Sequence, residues 1–226
     1  MNEKRKITLK DIAKELKLSP STVSRALNGY PSLSEETIQL VKEYAAKHQY
    51  VPNTMAVNFR KNRTSILGMI VPQIVHHFFS TTISGALEAA KKRGYSILLA
   101  QSYDHLKEEV LASQYLLGMG VDGLLISISN ETKEVEHLQA FLDEGKAVVQ
   151  FDKITESLPS PKLVVDDFEG AYQATAHLIR EGYRKIAHLS GRMEVKNAEQ
   201  RFLGYKKALE DHGLVLQEEW VKPCFD

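Results

Sequence analysis

Leu18–Gly29 reads LSPSTVSRALNG, and its reading decides how the N-terminal part of the chain folds. Ser19 is a good helix N-cap, because its hydroxyl accepts a bond from a free backbone N–H one turn in. Pro20 suits the first helical position, where a missing N–H costs nothing. Asn28 and Gly29 close the helix, since glycine tolerates the left-handed conformation just past a helix end. A short helix over Ser19–Leu27 follows. Val23 and Leu27 mark its buried side, and Ser21, Thr22, Ser24 and Arg25 its exposed side. Such a polar face is either the solvated side of a small bundle or a surface that reads something.

The flanks extend the pattern. Thr8 with Asp11 approximates a capping box ahead of Ile12, Ala13 and Leu16. Ser34 is an N-cap for a third helix, with Glu35 and Glu36 favoured by the helix dipole, running to about His48. Leu16, Leu18, Val23, Leu27, Ile38 and Val41 then make a miniature three-helix core. Pro52 breaks the chain, and Asn53 can cap a stub to about Arg60. Two helices joined by a tight turn, the second opening in small polar residues, have the form of a helix-turn-helix. In that form Ser19, Ser21, Thr22 and Asn28 can bond phosphates or base edges. Arg25 has the fork geometry that pairs with guanine or a phosphate. Charge agrees. The formal net charge is zero, yet residues 1–63 hold 12 Lys and Arg against 6 Asp and Glu, and residues 64–226 hold 17 against 23. A basic module that meets a polyanion, joined to a body that does not, explains the split.

From Thr64 the rhythm changes. Short apolar runs at Ile66–Val71, Ser96–Gln101, Gly123–Ile128, Ala147–Phe151, Leu163–Val165 and Ile186–Leu189 read as strands. Amphipathic stretches near 82–93, 105–118, 133–144, 170–181 and 198–212 read as helices. This alternation predicts parallel sheets covered by helices on both faces. The segment Glu156–Lys162, with two prolines, is a candidate crossover between subdomains. The expected organisation is 1–51, a linker at 52–63, 64–160 and 161–226.

Several chemistries are disfavoured. Gly118–Gly123 matches G-x-G-x-x-G, but it follows a helix and precedes a strand, the reverse of a dinucleotide site. These glycines read as a helix stop and a turn. The adjacent His76 and His77 do not converge on a metal, and Asp166 and Asp167 point apart. No P-loop or nucleophile elbow is present. No enzyme activity, cofactor or metal is therefore expected, and a sugar-modifying enzyme has no nucleophile or metal set to support it. One cysteine, Cys224, excludes an intramolecular disulfide and suits a reducing compartment. The basic N-terminus has no apolar segment behind it, so no secretory signal is expected. No apolar run approaches the ~20 residues of a spanning helix.

Residues 7–68 strongly resemble the headpiece of the lactose-repressor (LacI/GalR) family. The motifs that carry this are ITLKDIA at 7–13, LSPSTVSRALN at 18–28 and YVPNTMA at 50–56. VDGLLIS at 121–127, the stretch 164–191 and AEQRFLGYKKAL at 198–209 resemble that family's ligand-sensing core, which is similar to the periplasmic sugar-binding fold. The resemblance covers essentially the whole chain. It implies an all-α helix-turn-helix headpiece plus an α/β periplasmic-binding-protein-like core. It also implies a cytoplasmic, homodimeric regulator whose partners are a double-stranded DNA operator and a small-molecule effector, a carbohydrate in the family's usual manner. The rival reading is a sugar-binding protein with no DNA role, for which a secretory signal and no basic module would be expected.

Residue by residue, the resemblance implies DNA contacts at Thr8, Ser19, Pro20, Ser21, Thr22, Arg25 and Asn28. It makes the stub after Pro52 a hinge helix, with Asn53, Ala56 and Phe59 at the minor groove and Phe59 as the intercalating wedge where leucine is usual. About seven residues are too few for a stable isolated helix, so that segment should order only when dimer and DNA hold it. Arg60, Lys61 and Arg63 suit the phosphate backbone. Effector contacts are implied at the aromatic pair Phe78 and Phe79, at Asp152 and Lys153, at Asp167 (or Asp166) and at Arg201. An aromatic face for a ring, with carboxylates and arginine for hydroxyls, fits a polyhydroxylated ligand. Family members continue well past Asp226, so the second subdomain is expected to be incomplete.

Overall fold

A computed structural model describes residues 7–50 and 63–224. The chain divides into two compact units, Met1–Lys61 and Asn62–Asp226. The expected contacts Asn53, Ala56 and Phe59 lie outside the described residues.

In the first unit, α1 spans Leu9–Glu15, α2 Pro20–Leu27 and α3 Glu35–Lys47. Each starts on the cap that the sequence predicts. Thr8 and Asp11 form a full capping box, the Asp11 carboxylate accepting from both the Thr8 N–H (2.8 Å) and its hydroxyl (2.6 Å). Ser19 Oγ accepts from Thr22 N–H at 3.1 Å, and Ser34 caps α3 through Thr37 N–H. Lys17, at φ 52°, turns the chain between α1 and α2. The centre of the core is smaller-sided than expected. Ile12, Ala13, Val23, Ala26, Val41 and Ala45 are buried, while Leu16, Leu18, Leu27 and Ile38 pack around them half-buried. Alanines at the crossing points let three short helices approach closely. Loss of the Thr8 hydroxyl in Thr8→Ala should lower unit stability by about 1 kcal/mol, read as an earlier thermal melt of its helical circular dichroism.

The second unit opens with β1 (Ile66–Val71), α4 (His77–Lys92), β2 (Ser96–Gln101), α5 (Leu106–Gly118), β3 (Gly123–Ile126), α6 (Glu136–Asp143), β4 (Ala147–Phe151) and β5 (Lys162–Leu163). All five strands are parallel, in the order β2-β1-β3-β4-β5. Side chains alternate across the sheet. Met69, Val71 and Phe151 pack on one face against Phe79 and Ile83 of α4. Ile70, Leu124, Ile126 and Val148 pack on the other against Leu116 of α5 and Leu138 and Phe141 of α6. Gly68 sits where a Cβ would come within 2.9 Å of the Leu116 side chain, so α5 rides close over β1. The G-x-G-x-x-G glycines do lie between a helix end and a strand start, and Gly120 takes φ 70° in that turn. Lys162–Leu163 pair with β4, so both prolines of Glu156–Lys162 lie between strands of one sheet.

The second lobe holds α7 (Asp167–Arg180), β6 (His188–Ser190), α8 (Lys196–Asp211), a 3-10 turn (Glu218–Trp220) and β7 (Val221–Pro223). β6 and β7 are parallel and form a two-stranded sheet. Ile179, Ile186, Tyr205 and Leu209 make its small core, and the Tyr205 hydroxyl donates to the Ile186 carbonyl at 2.8 Å. No helix among the described residues is long and apolar enough to cross a membrane.

Candidate functional site

On the first unit, α2 presents its N-terminal hydroxyls outward. Ser19 Oγ lies 2.7 Å from Ser21 Oγ and 2.8 Å from Thr22 Oγ1. Three hydroxyls therefore cluster on the exposed first turn of α2, an arrangement suited to a phosphate oxygen. Pro20, Ser21 and Arg25 are exposed, with Arg25 one turn further along. Asn28 is exposed, but its Nδ2 donates to the Ser24 carbonyl at 2.7 Å, so its first task is closing the helix. Thr8 is likewise engaged by the capping box.

On the second unit, a cavity of about 480 Å³ opens at the carboxyl ends of the parallel strands. In sheets of this order, with β1 between β2 and β3, ligands bind at this end, beside the point where strand order reverses. Gln73 follows β1, Tyr103–His105 follow β2, Asn130 and Glu131 follow β3, and Lys153 follows β4. The second lobe contributes His188, Arg192, Asn197 and Arg201.

The polar groups of this cleft are tightly tied to one another. Asp104 accepts from Asn130 N–H (2.8 Å), Asn130 Nδ2 (2.7 Å) and Lys153 Nζ (2.8 and 3.0 Å). Glu131 accepts from Leu106 N–H at 3.0 Å and lies 3.1 Å from His105 Nδ1. The Leu106 N–H bond, then the His105 bond, hold its carboxyl below the usual range. Behind the loop, buried Glu109 accepts from Ser129 N–H (2.5 Å) and the Thr132 hydroxyl (2.9 Å) and meets His137 Nε2 at 2.8 Å. Loop 129–132 is thus anchored from beneath by Glu109 and from the side by Asp104. Across the cleft, Arg201 Nε pairs with Asp167 at 2.6 Å.

Asp152 stands at the end of β4 with φ 58°, in contact with both lobes. Ser127 Oγ donates to it at 3.3 Å and Asn197 Nδ2 at 3.4 Å. Burial raises its pKa, against the opposing influence of Lys153, Ser127 and Arg201. The folded state therefore holds this proton more tightly than the unfolded chain. Its contribution to stability falls as pH rises from the ordinary value of 3.8 through the raised one. Asp152→Asn, whose amide tolerates a left-handed backbone, should melt higher than the parent at pH 7. The gap should close as pH drops below 4, as followed by thermal melts across a pH series.

The sequence-predicted effector residues do not all converge. Lys153 and Arg201 line the cleft. Asp152 and Asp167 line an adjoining cavity of about 460 Å³, and Asn197 lies on both. Asp166 caps α7 by accepting from Glu169 N–H at 2.9 Å. Phe79 is buried among Met69, Val71, Ile83 and Phe151, so it serves the core rather than the cleft. Phe78 meets it edge-to-face, is half exposed and is not among the residues that line the cavity. Tyr103, Asp104, Asn130, Glu131 and Asn197 were not singled out from the sequence. The signal for the first four was positional, since each lies two or three residues past a predicted parallel strand's end.

These two units, a helix-turn-helix and a parallel α/β core with a ligand cleft, define the class, and comparison with known proteins gives the family. Residues 64–226 match the family described as periplasmic binding proteins and sugar binding domain of LacI family, and residues 8–53 match bacterial regulatory proteins, lacI family. The chain belongs to the LacI family. It is 30% identical over 215 residues to the HTH-type transcriptional repressor PurR of Vibrio vulnificus, covering 95% of this chain and 64% of that one. A solved complex of the transcriptional regulator CelR with cellobiose is 27% identical, with a TM-score of 0.61 over 96% of this chain and 65% of that one. The lac repressor dimer bound to operator and the anti-inducer ONPF has a TM-score of 0.81 at 21% identity, over 97% of this chain and 65% of that one, and shares the fold. The chain thus spans somewhat less than two thirds of the length of these relatives.

Proposed function

We propose that the protein is a cytoplasmic transcriptional repressor that binds a near-palindromic DNA operator as a homodimer, with affinity controlled by a small effector, a sugar or sugar derivative. The observation that carries this is the pairing, in one chain, of an exposed hydroxyl-and-arginine helix face with a polar cleft at the strand ends. The first suits phosphates and base edges. The second offers carboxylates, amides and cations in balanced pairs, which suits hydroxyl groups. Family membership supports both halves. Exposed apolar residues at helical spacing, Leu111 and Tyr115 on α5 and Met119 just past its end, support a partner subunit.

In this reading, Ser19, Ser21, Thr22 and Asn28 set the register on the backbone, with Thr8 nearby and Pro20 in apolar contact with a thymine methyl. Arg25 reads a base. Asn53, Ala56 and Phe59 act at the minor groove, with Phe59 wedged into the central step. Phe59→Ala should remove most of the DNA bend, as measured by the mobility of permuted fragments. Equal bending by parent and variant would refute the wedge.

The effector would bind between the lobes, with Lys153 and Arg201 at the cleft and Asp152 and Asp167 beside it. Linkage then requires the sugar to change DNA affinity, typically by about 5–150-fold. The test is the affinity for one selected duplex, at fixed salt, with and without a sugar that binds. Identical affinities would refute the coupling.

A further inference from the structure

We infer that Tyr103 is the stacking platform of the cleft, receiving the apolar C–H face of a cyclic sugar. This rests on the reading of the effector as a sugar and names the residue that selects for it. Of the aromatic pair implied by the sequence, Phe79 is packed in the core and Phe78 is not among the residues that line this cavity. Tyr103 is the residue with a phenyl ring among those lining the cavity, and it is 58% exposed.

Its placement is held by structure. Tyr103 and Asp104 are consecutive non-glycine residues with φ of 52° and 63°. Left-handed backbone is unfavourable for a tyrosine, and such conformations persist where surrounding bonds enforce them. Here the Asp104 carboxylate enforces the turn through Asn130 and Lys153. These bonds fix the turn that carries Tyr103, which lines the cleft next to the amides and charges that can take ring hydroxyls. A polyhydroxylated ring is amphipathic in this sense, apolar on a face and polar at its edge, and an aromatic ring beside hydrogen-bonding groups matches it. The cavity of about 480 Å³ is within the range of small-ligand pockets, ~300–1,000 Å³.

The experiment is isothermal titration of the full chain with D-glucose, D-ribose, cellobiose and, as a planar competitor, adenine. Parent, Tyr103→Phe, Tyr103→Leu, Tyr103→Ala and Phe78→Ala are compared. Expected is a sugar that binds the parent, retained within threefold by Tyr103→Phe and Phe78→Ala. Tyr103→Leu and Tyr103→Ala should weaken it at least tenfold. The leucine variant decides the matter if the alanine variant does not fold. Sugar binding that survives both, or that falls as far in Phe78→Ala, overturns the role of Tyr103 and leaves the sugar reading standing. Binding of adenine alone, or of none of the four, overturns the sugar reading and the platform with it.

Discussion

Arg25→Ala should abolish operator preference while leaving nonspecific DNA binding in place. Arg25 is exposed on α2, one turn beyond the hydroxyl cluster, and Val23 and Ala26 on either side of it anchor the helix in the core. Removing its side chain therefore leaves the fold alone. One arginine–base pairing discriminates by about 1–3 kcal/mol. A dimer makes two, so the variant should lose roughly thirtyfold or more in affinity for its own site. Binding to unrelated duplex depends on phosphate contacts and should keep its steep salt dependence. Mobility-shift titrations on specific and scrambled duplexes read both numbers. Unchanged discrimination would reassign Arg25 to the backbone.

The second large effect is structural. A Cβ on Gly204 would lie 2.1 Å from the Phe168 carbonyl oxygen and 3.0 Å from the Tyr172 backbone nitrogen. The obstacle is backbone, which no rotamer change clears, so α7 and α8 would have to part. Gly204→Ala should destabilise the second lobe by about 3 kcal/mol or more. Gly170→Ala makes the contrast. That glycine is also helical, but nothing stands within 4 Å of its added Cβ. There the replacement should stabilise by about 0.5–1 kcal/mol through helix propensity. Urea unfolding of both variants checks the pair. A mild effect at Gly204 would contradict the close helix crossing.

Much of this fold was legible because its signals are local. Ser19, Pro20 and Gly29 define α2 without any tertiary contact, and Ser34 does the same for α3. The start of α4 was not legible. Its N-cap is His76, which makes no side-chain cap bond, so the helix begins several residues before the sequence signals it. The strands of the second lobe are also short, and β6 falls at His188–Ser190, slightly beyond the apolar run that suggested it. Tertiary pairing sets such boundaries. In the first unit, Val23 and Val41 sit at the core centre as expected, but Leu16, Leu18, Leu27 and Ile38 pack around it, and Ile12, Ala13, Ala26 and Ala45 take their place. Helix crossings favour small side chains at closest approach, a property of the packed unit that periodicity alone does not reveal.

The cleft was legible only in part for a similar reason. Lys153 and Arg201 lie on it as expected, but Phe78 and Phe79 do not, because a motif fixes residue type and not side-chain direction. Asp104, Asn130 and Glu131 belong to loops whose sequence looks ordinary. Their importance comes from bonds between residues 25 to 49 apart in the chain. No local pattern encodes such a network.

Selection of bound duplexes from a random DNA pool by the full chain, at one stated salt concentration, tests the proposed role most directly. A homodimeric operator-binding protein should enrich a two-fold-symmetric site with two equivalent half-sites. Recovery of a pool no different from the input, while sugars still bind the core, would contradict it and favour a sugar-binding protein with no DNA role.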